Sequence, residues 1–147
     1  MPEEPQSADN PPRDRIAEGA RLTVYYDGGC PLCRAEISYY RRLDRAGRVA
    51  FVDLTGAGAD TGEDLTCAAA LARFHVRAAD GQLTSGAAAF VRLWRELRGW
   101  RWAAHVARLP GIVWLMERAY RAFLPIRPRL ARLVAGRHRG GTDARRG

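Results

Sequence analysis

The chain has 147 residues, a formal charge of +8, 47% hydrophobic residues and three cysteines. That length gives one domain with its own core and little room for a second, and three thiols exclude the disulfide framework of small secreted domains. All 24 basic residues are arginine, and no apolar run approaches the ~18 residues of a membrane span.

The amino terminus starts Met1-Pro-Glu-Glu-Pro5 and has neither the basic nor the apolar segment of a secretory leader, so a cytoplasmic, reducing setting is expected. Residues 1–19 are rich in Pro, Asp, Glu and Arg without apolar periodicity and are expected to be disordered. Leu22 to Tyr26 is a β-branched and aromatic run that stops at Asp27-Gly28-Gly29, which reads as a strand and a tight loop. Pro31 suits the first position of a helix that carries Cys33, Ile37 and Tyr40 on one face and ends near Gly47. Val49 to Val52 follows as a second strand. A Gly-rich loop spans Thr55 to Gly62, and a short helix is expected near Thr66 to Ala70.

Leu71 to Val76 reads as a strand, and Asp80-Gly81 as a hairpin turn into a partner strand at Gln82 to Thr84. Ser85 is the expected N-cap of a helix burying Phe90, Val91, Trp94 and Leu97 and ending at Gly99. Two further helices, around Trp100 to Leu109 and Ile112 to Leu124, are separated by Pro110-Gly111, and residues 136–147 form a Gly/Arg tail expected to be flexible. The order β-α-β, β-β-α and extra helices predicts an α/β domain over residues 20–135, a mixed sheet flanked by helices.

Chemistry concentrates in the stretch Tyr25-Tyr-Asp-Gly-Gly-Cys-Pro-Leu-Cys33. Cys30 precedes a proline-started helix, where free N–H groups and the helix dipole favour a thiolate. Cys33 lies one turn further on the apolar stripe, placed to resolve a mixed disulfide formed at Cys30. The same C-x-x-C spacing is half of a zinc site, a structural alternative that would draw on Cys67, His75, His105 or His138, none of which comes in a second paired motif. Asp27 has two readings: it relays the proton of Cys33, or it holds the loop by accepting backbone N–H groups. From Arg92 onward fourteen arginines face only Glu96, Glu117 and Asp143. Such a half can bind an anionic membrane surface or nucleic acid, or it is simply a solvated basic surface.

The signature Asp27-x-x-Cys30-x-x-Cys33, the segment Arg73 to Trp94 and the helical Leu109 to Tyr120 together resemble the DCC family of thiol–disulfide oxidoreductases, over roughly Leu22 to Pro128. The resemblance implies a thioredoxin-like fold and disulfide exchange at Cys30 and Cys33. Exchange at such a dithiol needs no bound cofactor, and its expected partners are a disulfide-containing substrate and an external thiol reductant. Thioredoxins place a cis-proline before the strand facing the dithiol, and no proline precedes Leu71 to Val76 here.

Overall fold

The computed structural model of the chain describes residues 19–143, with side chains to Gly136. The expected disordered segment 1–19 lies outside the described residues except for Gly19, and so do residues 144–147 of the expected tail.

Four strands form one mixed sheet in the order β2-β1-β3-β4. Strand β1 (Leu22–Tyr26) pairs in parallel with β2 (Val49–Asp53), in the register Val24 to Phe51, and antiparallel with β3 (His75–Ala78), in the register Val24 to Val76. Strand β4 (Leu83–Ser85) closes the hairpin through Asp80-Gly81. The mixed sheet with helices around it fits the thioredoxin-like expectation.

The pleat of β1 sends its side chains into two cores. Leu22 and Val24 face Ile37 and Tyr40 of helix α1 (Pro31–Leu43) and Leu93 of helix α3 (Ala87–Glu96), with Val24, Val76 and Leu93 fully buried. Tyr25 faces the other way, onto Leu54, Leu65 and Ala70 of helix α2 (Cys67–Ala72). Helix α1 begins at Pro31 and stops at Asp44, whose carboxylate accepts the N–H groups of Arg48 and Val49 and so ties the helix end to the start of β2.

Residues expected to begin a strand at Leu71 belong instead to α2, which Thr66 caps through its hydroxyl, and the strand starts at His75. Alanine explains the shift: Cys67-Ala-Ala-Ala-Leu-Ala72 has high helix propensity and no β-branched residue. Ser85 ends β4 rather than capping α3, because Gly86 takes φ +66° at that junction. A Cβ at Gly86 would also meet the guanidinium of Arg73.

The carboxyl-terminal third adds a 3₁₀ turn (Arg98–Trp100) and helices α4 (Arg101–Val106), α5 (Ile112–Phe123) and α6 (Arg127–Asp143). The last was not expected, and it continues through Gly136 into the segment read as a tail. Helix α5 lays Ile112, Val113 and Met116 on the Val91, Ala104 and Ala107 cluster, and leaves Trp114 and Leu115 exposed. Two contacts lock it to the sheet. Glu117 pairs with Arg73 and Arg121 and accepts the Ala87 N–H, which holds its carboxyl down at about 2, and the Phe74 N–H donates to Tyr120 Oη at 2.7 Å.

Tyr120→Phe leaves that N–H without its partner and is expected to cost about 1–2 kcal/mol. In a urea titration the midpoint should fall with an unchanged slope.

Candidate functional site

The dithiol sits where β1 hands over to α1. Asp53 at the end of β2 accepts the Gly28 N–H at 3.0 Å, and also the amide and hydroxyl of Thr55. Burial raises its proton affinity, yet the Thr55 and Gly28 donors and the charge of Arg41 outweigh that and hold its carboxyl below the ordinary value. Only glycine fits at position 28, because a Cβ there would lie 2.0 Å from Asp53 Oδ2. Asp27 Oδ1 accepts the Gly29 N–H at 2.9 Å, so the carboxylate makes the turn that delivers Cys30.

Cys30 is the N-cap residue of α1, 9% exposed, and its Sγ accepts the Cys33 N–H at 3.5 Å. The two cysteines approach to 3.1 Å, and both are free thiols. Arg127 of α6, 94 residues further along the chain, donates from Nη2 to Cys33 Sγ at 2.8 Å and from Nη1 to the Leu71 carbonyl at 3.3 Å. The guanidinium thus bridges the dithiol and the end of α2.

These contacts split the two thiols. Burial works against a Cys30 thiolate, but hydrogen bonds from the Cys33 thiol and amide, the positive charge of Arg127 and the Leu32 amide carry its pKa below the usual value. Cys33 is pushed up to about 12, first by burial and then by donating its own hydrogen to Cys30, with Arg127 opposing. The hydrogen bond from Cys33 to Cys30 Sγ favours both directions, while the donation from Arg127 to Cys33 Sγ moderates the second. The proton left in the pair rests on Cys33.

The thiols also open onto different spaces. Cys30 lines a groove of about 730 Å³ together with Arg34, Leu71, Pro128 and Arg132. Cys33 lines a cavity of about 60 Å³ with Glu36, Phe90, Tyr120 and Phe123. Asp27 and Arg127 border both. Glu36, half-buried one turn beyond Cys33, accepts from Tyr40 Oη at 2.9 Å. Burial raises its pKa against the lowering effects of the Tyr40 hydroxyl and Arg127.

The structure brings Cys30, Cys33 and Asp27 together, as read from the motif, and adds Arg127 and Glu36, which the motif did not reveal. Glu36 follows Cys33 at helical spacing, a signal present in the sequence. Arg127 has no local signal at all. The other candidate zinc ligands are elsewhere: Cys67 is exposed at the start of α2, His75 Nδ1 is 2.7 Å from the Arg73 carbonyl, and His105 is exposed on α4. His138 lies outside the described side chains, and among the described residues no three of His, Cys, Asp and Glu gather as a metal site.

Residues 24–133 match the family model of DCC1-like thiol–disulfide oxidoreductases. The chain belongs to that family. It is 26% identical over 125 residues to an uncharacterized chloroplastic protein of Arabidopsis thaliana, an alignment covering 80% of this chain and 58% of the plant protein. No solved structure matches it. No helix among the described residues is long and apolar enough to cross a membrane.

Replacing Arg127 with Gln removes the charge and keeps a donor. Iodoacetamide should then modify Cys30 about threefold to tenfold more slowly near neutral pH, because each pKa unit changes the thiolate fraction tenfold. Peptide mapping by mass spectrometry reads the rate for each cysteine, and an unchanged Cys30 rate would show that Arg127 has no part in its ionisation.

Proposed function

We propose that the chain is a thiol–disulfide oxidoreductase in which Cys30 attacks and Cys33 resolves. The observation that carries this reading is the opposite displacement of the two thiols, with the readily ionised one on a wide groove and the other on a smaller, less open cavity. Thiol exchange needs that asymmetry.

The reaction balances as follows. Cys30 thiolate attacks one sulfur of a substrate disulfide, the substrate S–S bond breaks, and the first substrate thiolate leaves. Bonding to the substrate removes the negative charge on Cys30 and its capacity to accept from Cys33, two of the effects that hold the Cys33 proton. Burial remains, and so does Arg127, so Cys33 ionises more easily at the moment its thiolate is needed. Its proton passes to the Glu36 carboxylate, which lines the same cavity and whose raised proton affinity suits an acceptor. Cys33 then attacks Cys30 Sγ and expels the second substrate thiolate. The dithiol has lost two electrons to the substrate, and an external thiol reductant restores it. Asp27 serves to hold the loop that presents Cys30, from a place on the rim of both spaces.

Cys30→Ser should abolish exchange, and Cys33→Ser should accumulate the mixed disulfide at Cys30. Glu36→Gln should slow resolution on the order of 10²-fold, the lower end of what a positioned proton acceptor supplies. Resolution in the wild type should rise with pH through the raised pKa of Glu36 and then level, since the ionised carboxylate is the acceptor. In Glu36→Gln it should climb without that plateau. Equal activity in wild type and both cysteine variants, followed by quenching and mass spectrometry, would refute the mechanism.

A second reading is favoured by the surface of α4 and α5, where Trp102 and Trp114 are 65% and 63% exposed and the Arg118 guanidinium stacks 4.9 Å over the Trp114 ring. Interfacial tryptophan beside arginine suits an anionic membrane surface. The domain should co-sediment with phosphatidylserine vesicles at low salt and be released at about 1 M salt, where the screening length is ~3 Å. Failure to bind at low salt would remove this role.

A further inference from the structure

We infer that the groove beside Cys30 takes a low-molecular-weight disulfide bearing free carboxylates, a short peptide disulfide of the glutathione type, recognised by Arg34 of α1 and Arg132 of α6. This inference rests on the exchange reading above and adds the substrate class.

Three features of the groove carry it. Its volume of about 730 Å³ falls within the ~300–1,000 Å³ of sites that enclose small molecules. Its α6 wall is made of small residues, Pro128, Ala131 and Ala135, which recur at three- and four-residue spacing on one helix face and leave room for an extended chain. Its charge is one-sided. Arg34, Arg127 and Arg132 line it, and the one acidic residue beside them is Asp27, whose Oδ1 already accepts the Gly29 N–H.

Among these arginines, Arg127 is held by Cys33 and the Leu71 carbonyl. Arg34 is exposed and donates from Nη1 to the Gly28 carbonyl, and its remaining side-chain N–H groups meet no acceptor among the described residues. Arg132 is exposed, and its side chain makes no hydrogen bond or ion pair among the described residues. Two guanidinium groups with open donors beside a reactive thiol match carboxylates, which guanidinium binds in a planar, two-pronged geometry. A cationic disulfide would meet like charge on both helices.

The step is the exchange already written, with each half of the peptide disulfide leaving as a thiolate and the Cys30–Cys33 disulfide as the other product. A single turnover of the pre-reduced protein needs no further reductant.

The test compares single-turnover oxidation of the reduced chain by oxidised glutathione, by the neutral 2-hydroxyethyl disulfide and by the cationic cystamine. At low salt the glutathione rate should exceed the cystamine rate at least about tenfold, and about 1 M salt should bring the two close together. Arg132→Glu should cut the glutathione-to-cystamine ratio about tenfold. Arg95→Glu, the same charge change on α3 outside the groove lining, should leave that ratio within about twofold, which separates local recognition from the general pull of a cationic protein. Equal rates with all three disulfides, or equal losses from Arg95→Glu and Arg132→Glu, would overturn the substrate class and leave the exchange chemistry standing. No reaction with any of them would overturn the exchange reading as well.

Discussion

A guanidinium from the last helix donates to a sulfur in the first, and the chemistry of the site depends on that contact. Arg127 Nη2 lies 2.8 Å from Cys33 Sγ, in surroundings where burial disfavours thiolate on either cysteine. An unpaired buried guanidinium is costly, and so is an unpaired thiolate; each lowers the cost of the other. The hydrogen bonds run from arginine to Cys33 to Cys30; the second of them and the charge of Arg127 favour ionisation at the outer sulfur, while the first eases the later ionisation of Cys33.

The fold serves to bring that arginine home. Helix α6 packs on α1, α5 leads into it, and α5 is itself fastened to the sheet through Glu117 and Tyr120. Phe74, whose N–H meets Tyr120, precedes β3, the strand that pairs with β1 directly before the dithiol. A chain of packed and hydrogen-bonded elements therefore connects the carboxyl-terminal helices with Cys30. Those helices complete the site, walling the groove with Pro128, Ala131 and Arg132.

The sequence was most legible where chemistry is local. Pro31 after a Gly-Gly turn announces the helix start, and Cys30 and Cys33 take up the N-cap and first-turn positions that their spacing implies. Strands β1 and β2 were readable because β-branched and aromatic residues end sharply at Gly or Asp. At Leu71 the apolar run was the same in a strand or a helix, and alanine propensity decided it. Helix α6 was missed because Pro128 and Gly136 fall inside it and its charge masks any apolar stripe. Arg127 was illegible for a different reason: among 24 arginines, nothing in its neighbourhood distinguishes the one that reaches a thiol 94 residues away.

The order of ionisation depends on one proton that Cys33 holds because Cys30 accepts from it. Titration of the reduced protein followed through ¹³Cβ-labelled cysteine by NMR measures this directly, in the wild type and in Cys30→Ala. Cys30 should ionise first in the wild type, Cys33 should hold its proton to about 12, and Cys33 should ionise at a lower pH once Cys30 is gone. If Cys33 ionised first in the wild type, or titrated identically in both proteins, the relay from Arg127 through Cys33 to Cys30 would be contradicted.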